Sequence, residues 1–337
     1  MLFLAVVFGL TLWSVFYGED FHQVLSCLAT ADPWYIAPSV ACVIAFILGE
    51  SVVIFYLMHN LGTRVRFSHC CLYSFIGFFY SCITPSASGG QPMQVVAMRR
   101  DGIPVAVSTV VLAIVTITYK LVLVLIGGVV MLLRPAGLMI YLEPVKGIVY
   151  LGMGLNVVCI TALLLLVFHP HMARVIAQRT LRLLNRLRLF RDPEKMEKRL
   201  DRVIGQYQGS AEFYRGHQHV IIHVFLITLA QRFTLFLVTW LTYRAFGLAG
   251  HSLPVIVTLQ AMISVAADML PLPGGMGVSE NLFLDIFQPI FGEALVLPGM
   301  MLSRGISYYT QLLISAVMTI AASVILKEKR KKGREYL

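Results

Sequence analysis

The amino-acid sequence predicts an all-α, polytopic integral membrane bundle: an inverted repeat with six full spans plus two re-entrant broken-helix hairpins. Three observations predict this fold. The 337 residues are 58% hydrophobic and 13% charged, with a mean hydropathy of +0.79, and the apolar runs are too long and too many for a soluble domain. Two of the runs are interrupted by clusters of proline and glycine. Lys and Arg residues concentrate between the runs.

Eight apolar runs supply the spans and the hairpins. They cover residues 1–17, 33–57, 69–97 (broken at 85–92), 103–133, 147–168, 217–247, 253–296 (broken at 271–277) and 297–326. The first run lacks a basic flank and a small-residue cleavage site, so we expect a retained helix rather than a signal peptide. The whole chain, residues 1–337, is predicted to form a single transmembrane domain.

The two interrupted runs are predicted to break in the middle, because proline lacks a backbone donor and glycine weakens a helix. The break residues are Pro85, Gly89 and Gly90 in the first interrupted run, and Pro271, Pro273, Gly274, Gly275 and Gly277 in the second. Unpaired backbone groups at membrane depth are tolerated only where protein or a watery cavity surrounds them. Both breaks are therefore expected at a polar site near the middle of the membrane.

The distribution of Lys and Arg orients the chain. Eleven of these residues lie in the linker 169–215, which is predicted to be a basic amphipathic segment that contacts anionic lipid headgroups at the cytoplasmic face. With this side cytoplasmic, both termini are cytoplasmic. The first hairpin then enters from the cytoplasm and the second from outside. The halves, about 69–133 and 253–326, form an inverted repeat of the kind found in secondary transporters.

Three cations inside apolar runs, Lys120, Arg232 and Arg304, indicate the binding site. A charge at the centre of a span costs about 2.5–3.5 kcal/mol on the insertion scale, so such residues usually face a cavity or a partner. Cations together with the N-termini of broken helices favour a phosphate group. The predicted substrate-binding residues are Lys120, Arg232, Arg304, Gln91, Gln94, Glu280, Asp268, Tyr119 and Tyr308.

A structural alternative for the same cations stays open. Glu50, Asp268, Glu280 and Asp285 are acids that could pair with them and clamp the bundle together. A clamp alone does not require two helix breaks beside it, which favours the binding site.

Enzymatic signatures are absent from the sequence: it has no P-loop, no Gly-x-Ser-x-Gly, no nucleotide-binding fingerprint and no His-Glu-x-x-His. His217 and His219 would point about 200° apart on a helix, which disfavours a shared metal ion. The net charge is +10, and the basic residues behind it lie between the apolar runs, which indicates contacts with lipid headgroups rather than with nucleic acid. We expect no catalytic residue, no metal and no cofactor, and a homodimer stays open.

The two break motifs, residues 83–94 and 270–280, resemble those of the lysylphosphatidylglycerol synthase transmembrane-region family. That family includes the flippase-like domain of the bacterial multiple peptide resistance factor. Residues 303–309 look like its final-helix arginine motif, whereas Gln91 stands where many members carry an acid. The resemblance implies a bacterial cell-membrane protein that moves a phospholipid, such as an aminoacylated phosphatidylglycerol, between leaflets.

Two other functions stay open for such a chain. It could be a membrane-embedded phosphatidylglycerol lysyltransferase, the name that family members often carry, or a scaffold subunit for a lipid-modifying enzyme. In full-length relatives, lysyl transfer belongs to a soluble C-terminal domain, whereas this sequence ends in a short basic tail. We therefore expect lipid transport rather than transfer chemistry.

Overall fold

The computed structural model describes residues 26, 28–85, 87–168, 193–272 and 275–321, without side chains for 193–203. Regular secondary structure in these ranges is helical. Four predicted features lie outside them: the apolar run 1–17, the first part of the linker, the break residues Pro273 and Gly274, and the basic tail.

The described helices follow one another along the chain in a simple order. They are α1 (Pro33–Asn60), α2 (Phe67–Ile83), α3 (Gly90–Arg100), α4 (Val105–Leu133), α5 (Ala136–Leu142), a 3-10 turn (Glu143–Val145), α6 (Lys146–Phe168), α7 (Pro193–Gly216), α8 (Gln218–Ala245), α9 (Leu253–Ala267), α10 (Val278–Phe291), α11 (Glu293–Arg304) and a π-helix (Gly305–Thr310). The chain is helical again from 311 to 321.

In the described ranges, four stretches are long and apolar enough to cross a membrane: α1, α4, Ala136–Val167 and α8. The predicted last span, 297–326, begins earlier than expected, at Glu293, and contains the π-helix. The structure is thus that of a helical membrane protein, and the total of six spans stays a prediction.

Each interrupted run forms two short helices joined by a break. The arms α2 and α3 have 17 and 11 residues, and the arms α9 and α10 have 15 and 14. At about 1.5 Å per residue, no arm reaches the roughly 30 Å of a bilayer core. The first break covers 84–89 rather than 85–92, because Pro92 fits the first turn of α3, where its missing N–H has no helical acceptor. The second break covers 268–277.

Two buried clusters hold the two hairpins. The first-hairpin cluster contains Tyr73 of α2 and Met98 of α3. The second-hairpin cluster contains most of the buried residues of α9 and α10. Helix α4 contributes Val110 to the first cluster and Val130 to the second, and α8 likewise contributes to both. Both arms of a hairpin therefore pack in one cluster, and α4 and α8 connect the clusters.

The second part of the predicted linker packs against the bundle as α7. Tyr214 is fully buried and its hydroxyl donates to the Leu57 carbonyl oxygen over 2.8 Å. The Tyr207 hydroxyl donates to the Leu166 carbonyl oxygen over 3.1 Å. Burial raises the pKa of the Tyr207 phenol to about 12. These contacts fix the end of α7 to α1 and α6.

Candidate functional site

A cavity of about 310 Å³ lies between the two helix breaks. This volume is at the lower end of the range for ligand pockets. Ala87 of the first break and Leu272 of the second both line it. The residues of the predicted site that line the cavity are Gln91, Gln94, Tyr119, Lys120, Arg232, Asp268, Gly275, Arg304 and Tyr308.

The two breaks contact each other through the final helix. Cys82 at the end of α2, Met276 of the second break and Tyr308 of the π-helix form one buried cluster. The Tyr308 hydroxyl donates to the Cys82 carbonyl oxygen over 2.8 Å. This hydrogen bond satisfies one of the carbonyl groups that the end of a helix leaves unpaired.

Close backbone approach shapes the first break. A Cβ on Gly90 would lie 2.1 Å from the Ser81 Oγ and 2.6 Å from the Gly77 carbonyl oxygen, so only glycine lets α3 approach α2 here. The Thr84 hydroxyl oxygen accepts from the Gly89 N–H over 2.8 Å. These contacts turn the chain back on itself within a few residues.

Left-handed backbone shapes the second break, with φ values of +68° at Gly275 and +84° at Gly277. The Gly277 N–H donates to the Glu280 Oε2 over 2.7 Å, which caps the N-terminus of α10. The Ser279 hydroxyl donates to the Gly275 carbonyl oxygen over 2.9 Å. The break therefore has its own internal hydrogen bonds.

Lys120 is paired with an acid of the second break. Its Nζ lies 2.7 Å from the Asp268 Oδ2 and 3.4 Å from the Asn156 Oδ1. The Tyr119 hydroxyl donates to the other oxygen of Asp268 over 2.7 Å. Both oxygens of this carboxylate are thus occupied, and the pair ties α4 to the second break.

Arg304 is paired as well. Its Nε lies 2.8 Å from the Glu280 Oε1. Glu280 is only 4% exposed and is not among the residues that line the cavity. Because its second oxygen caps Gly277, this carboxylate connects the final helix to the N-terminus of α10.

Arg232 differs from the other two cations. It is 3% exposed, yet within the described chain its Nε and Nη2 have no hydrogen-bond partner. The guanidinium carbon lies 3.4 Å from the centre of the Tyr119 ring, and the rings of Phe46 and Phe236 lie within 6 Å. Stacking stabilises a guanidinium but does not satisfy its N–H groups. A buried cation with unmet donors is costly, and the described residues supply no partner for these two donor atoms.

Glu50, on α1, is a cavity residue that the predicted site omitted. Its Oε1 accepts from the Gln94 Nε2 over 2.6 Å, and the described residues give it no ion pair. Gln91 donates to the Thr116 hydroxyl oxygen. Gln260 and Ser264 of α9 also line the cavity, and their spacing of four in an apolar helix is a signal that could have found them.

The other predicted break residues shape the backbone without lining the cavity. These are Pro85, Gly89, Gly90, Pro271 and Gly277. Pro273 and Gly274 lie outside the described residues. No group of three His, Cys, Asp or Glu residues in the described ranges could hold a metal ion.

Comparison with known proteins identifies a family that this chain matches. A family described as the lysylphosphatidylglycerol synthase TM region matches residues 1–315. The search of curated proteins gave no match. The match covers nearly the whole chain, including both breaks and all three cations. The chain therefore belongs to the lysylphosphatidylglycerol synthase transmembrane-region family, which indicates a membrane protein of lipid metabolism or transport.

Proposed function

We propose that this protein binds the phosphate of an anionic phospholipid in the cavity between the breaks and carries the headgroup from one leaflet to the other. The observation that carries this proposal is Arg232, a buried cation on the cavity wall with two unmet donors. Lys120 and Arg304 already have carboxylate partners. They therefore contribute to the shape and the electrostatic potential of the cavity rather than free N–H donors.

The chemistry of the free donors fits a phosphate. The Nε and Nη2 atoms lie on one edge of the guanidinium, and their N–H groups point the same way. Two parallel N–H donors match two oxygens of a phosphate, which gives a bidentate contact. Tyr119 holds the plane of the guanidinium by stacking, so the fork is oriented before the ligand arrives.

The size of the cavity supports a headgroup rather than a whole lipid. About 310 Å³ is small for a molecule with two acyl chains. The chains would therefore remain in the bilayer while the headgroup enters the protein. The non-helical backbone of each break is compatible with membrane depth because polar groups and packed protein surround it.

The arrangement of the hairpins supports passage between leaflets. Each hairpin packs in its own cluster, and α4 and α8 run between the clusters. We propose that the hairpins enter from opposite sides, as an inverted repeat with the cavity near the midplane. The Lys and Arg distribution favours cytoplasmic termini in a bacterial cell membrane.

The test is transfer of fluorescent phosphatidylglycerol between leaflets of vesicles that contain the purified protein, followed by quenching of the outer leaflet. Arg232→Gln should lower the rate at least about tenfold, because it removes a charge-assisted bidentate contact. Arg244→Gln is the matched control, since Arg244 lies at the end of the same helix and contacts the Leu248 carbonyl oxygen. Equal rates in wild type and Arg232→Gln would contradict the proposal. Aminoacylated lipid formed from charged tRNA by the purified chain would favour the transferase instead.

A further inference from the structure

We infer that Glu50 takes up a proton when an anionic headgroup binds at Arg232, so that the headgroup crosses the membrane together with one proton. This inference rests on the proposed function, because it concerns the charge balance of the same cavity. It assigns a role to a half-buried carboxylate that phosphate binding alone does not use.

The environment of Glu50 is the first step. Its carboxylate lines the cavity from within α1, a helix apolar enough to span a membrane. Its hydrogen-bond partner is the Gln94 amide, at 2.6 Å. An amide can donate to a carboxylate and can accept from a carboxylic acid, so Gln94 can serve both protonation states. Ionisable groups inside membrane spans are typical of proton pathways.

The other two acids near the cavity are paired with cations. Asp268 accepts from Lys120 and Tyr119. Glu280 accepts from Arg304 and from the Gly277 N–H. Protonation of either acid would break an ion pair. Glu50 has no such pair among the described residues, so its protonation breaks no ion pair.

The charge balance of the cavity then gives the sign of the coupling. The pairs of Lys120 with Asp268 and of Arg304 with Glu280 are each neutral. The remaining charges are Arg232 and Glu50, which are balanced when the cavity is empty. A bound phosphate leaves one excess negative charge in a low-dielectric space, and one proton on Glu50 removes it. The remaining titratable or charged groups on the cavity wall are Cys82, Tyr119, Lys120, Asp268, Arg304 and Tyr308.

Linkage makes this inference measurable. If anion binding favours protonation of Glu50, protonation must favour anion binding by the same factor. The affinity for an anionic headgroup should therefore rise as the pH falls through the titration of Glu50. A ligand amine seated on Glu50 would do the opposite, because it would keep the carboxylate charged.

The experiment is calorimetric titration of the purified full chain in detergent with dihexanoyl phosphatidylglycerol, in paired buffers of different ionisation enthalpy from pH 5 to 8. Wild type should take up as much as about one proton per lipid bound. Glu50→Gln should bind without proton uptake and, at pH 8, about tenfold more tightly than wild type, since it lacks the repelling charge. Glu143→Gln, an exposed acid outside the cavity, should behave as wild type.

A second variant keeps the test decisive if Glu50→Gln folds poorly. Gln94→Met removes the amide that donates to Glu50, so proton uptake on binding should shift to higher pH. Binding without proton exchange, proton release on binding, or full uptake in Glu50→Gln would overturn the inference and leave the proposed function standing. Absence of lipid binding by wild type would refute the proposed function itself.

Discussion

Lys120, Arg232 and Arg304 all line the cavity, and in the described structure two of them meet a carboxylate at ion-pair distance. The two pairs do what the structural alternative expected, since they join α4 and the final helix to the second break. Arg232 does not form such a pair, and its Nε and Nη2 have no hydrogen-bond partner among the described residues. The three cations therefore divide into two that are paired with an acid and one, Arg232, that has no ion pair among the described residues.

Removing one member of the pair of Arg304 and Glu280 should lower stability more than removing both. Arg304→Gln leaves the carboxylate of Glu280 buried without its cation, a loss of about 3–5 kcal/mol. The double variant Arg304→Gln with Glu280→Gln should recover part of that loss. The measurement is the thermal unfolding of each variant in detergent.

The exposed pair of Lys146 and Glu143 gives the control for this cycle. Lys146→Gln should change stability by less than about 1 kcal/mol, because solvent screens a surface pair. Strictly additive effects of the Arg304 and Glu280 substitutions would show that the two side chains are not coupled.

Lysine at position 232 should not preserve the function of Arg232 in lipid transfer. Arg232→Lys keeps the positive charge but loses both the planar fork and the stacking on Tyr119. We expect lipid transfer to fall at least about tenfold, because one ammonium cannot make the bidentate contact. Transfer in vesicles checks this, with Arg244→Lys as control. Full activity of Arg232→Lys would mean that charge alone suffices.

At the scale of elements, the second break depends on Gly275. This residue lines the cavity with φ +68°, and a Cβ there would lie 3.2 Å from that of Ala267. Gly275→Leu should therefore block lipid transfer by filling the cavity between the breaks. The measurement is the leaflet transfer rate in vesicles.

Gly292 offers a matched control for backbone strain. It has φ +79°, and an added Cβ would meet nothing within 4 Å. Gly292→Leu should lose about 1–2 kcal/mol of stability from the left-handed backbone but retain transfer. If both leucine variants transfer lipid at the wild-type rate, the second break is not part of the pathway.

Helix α7 should contribute to stability through its last turns. Tyr214 is fully buried and its hydroxyl bonds the Leu57 carbonyl oxygen. Tyr214→Ala should lower the free energy of unfolding by about 3–5 kcal/mol, as is usual for buried aromatic residues. Thermal unfolding in detergent measures this. The exposed neighbour substitution Arg215→Ala should have little effect, and an equal loss in both would contradict the packing of α7.

At the scale of the whole molecule, the sequence was informative where its signals are local. Prolines and glycines inside apolar runs predicted both helix breaks within a few residues, and charges inside such runs identified three cavity residues. Family membership was also evident from the break motifs and is confirmed. The inverted repeat, the number of spans and the orientation stay predictions.

The sequence could not predict which residues contact each other in the folded bundle. The partner of Lys120 lies 148 positions away along the chain, and the contact between Tyr308 and Cys82 spans 226 positions. Neither periodicity nor composition can identify which acid reaches which cation. For the same reason the sequence named Glu50 only as a counter-charge, although the structure places it on the cavity wall beside Gln94.

The most direct test of the central claim is native mass spectrometry of the protein purified in mild detergent, with identification of the phospholipids that remain bound. Wild type and Arg244→Gln should both retain an anionic phospholipid. Arg232→Gln should lose it while remaining folded and monodisperse. Equal retention of the same lipid by Arg232→Gln would contradict the assignment of the phosphate site to Arg232.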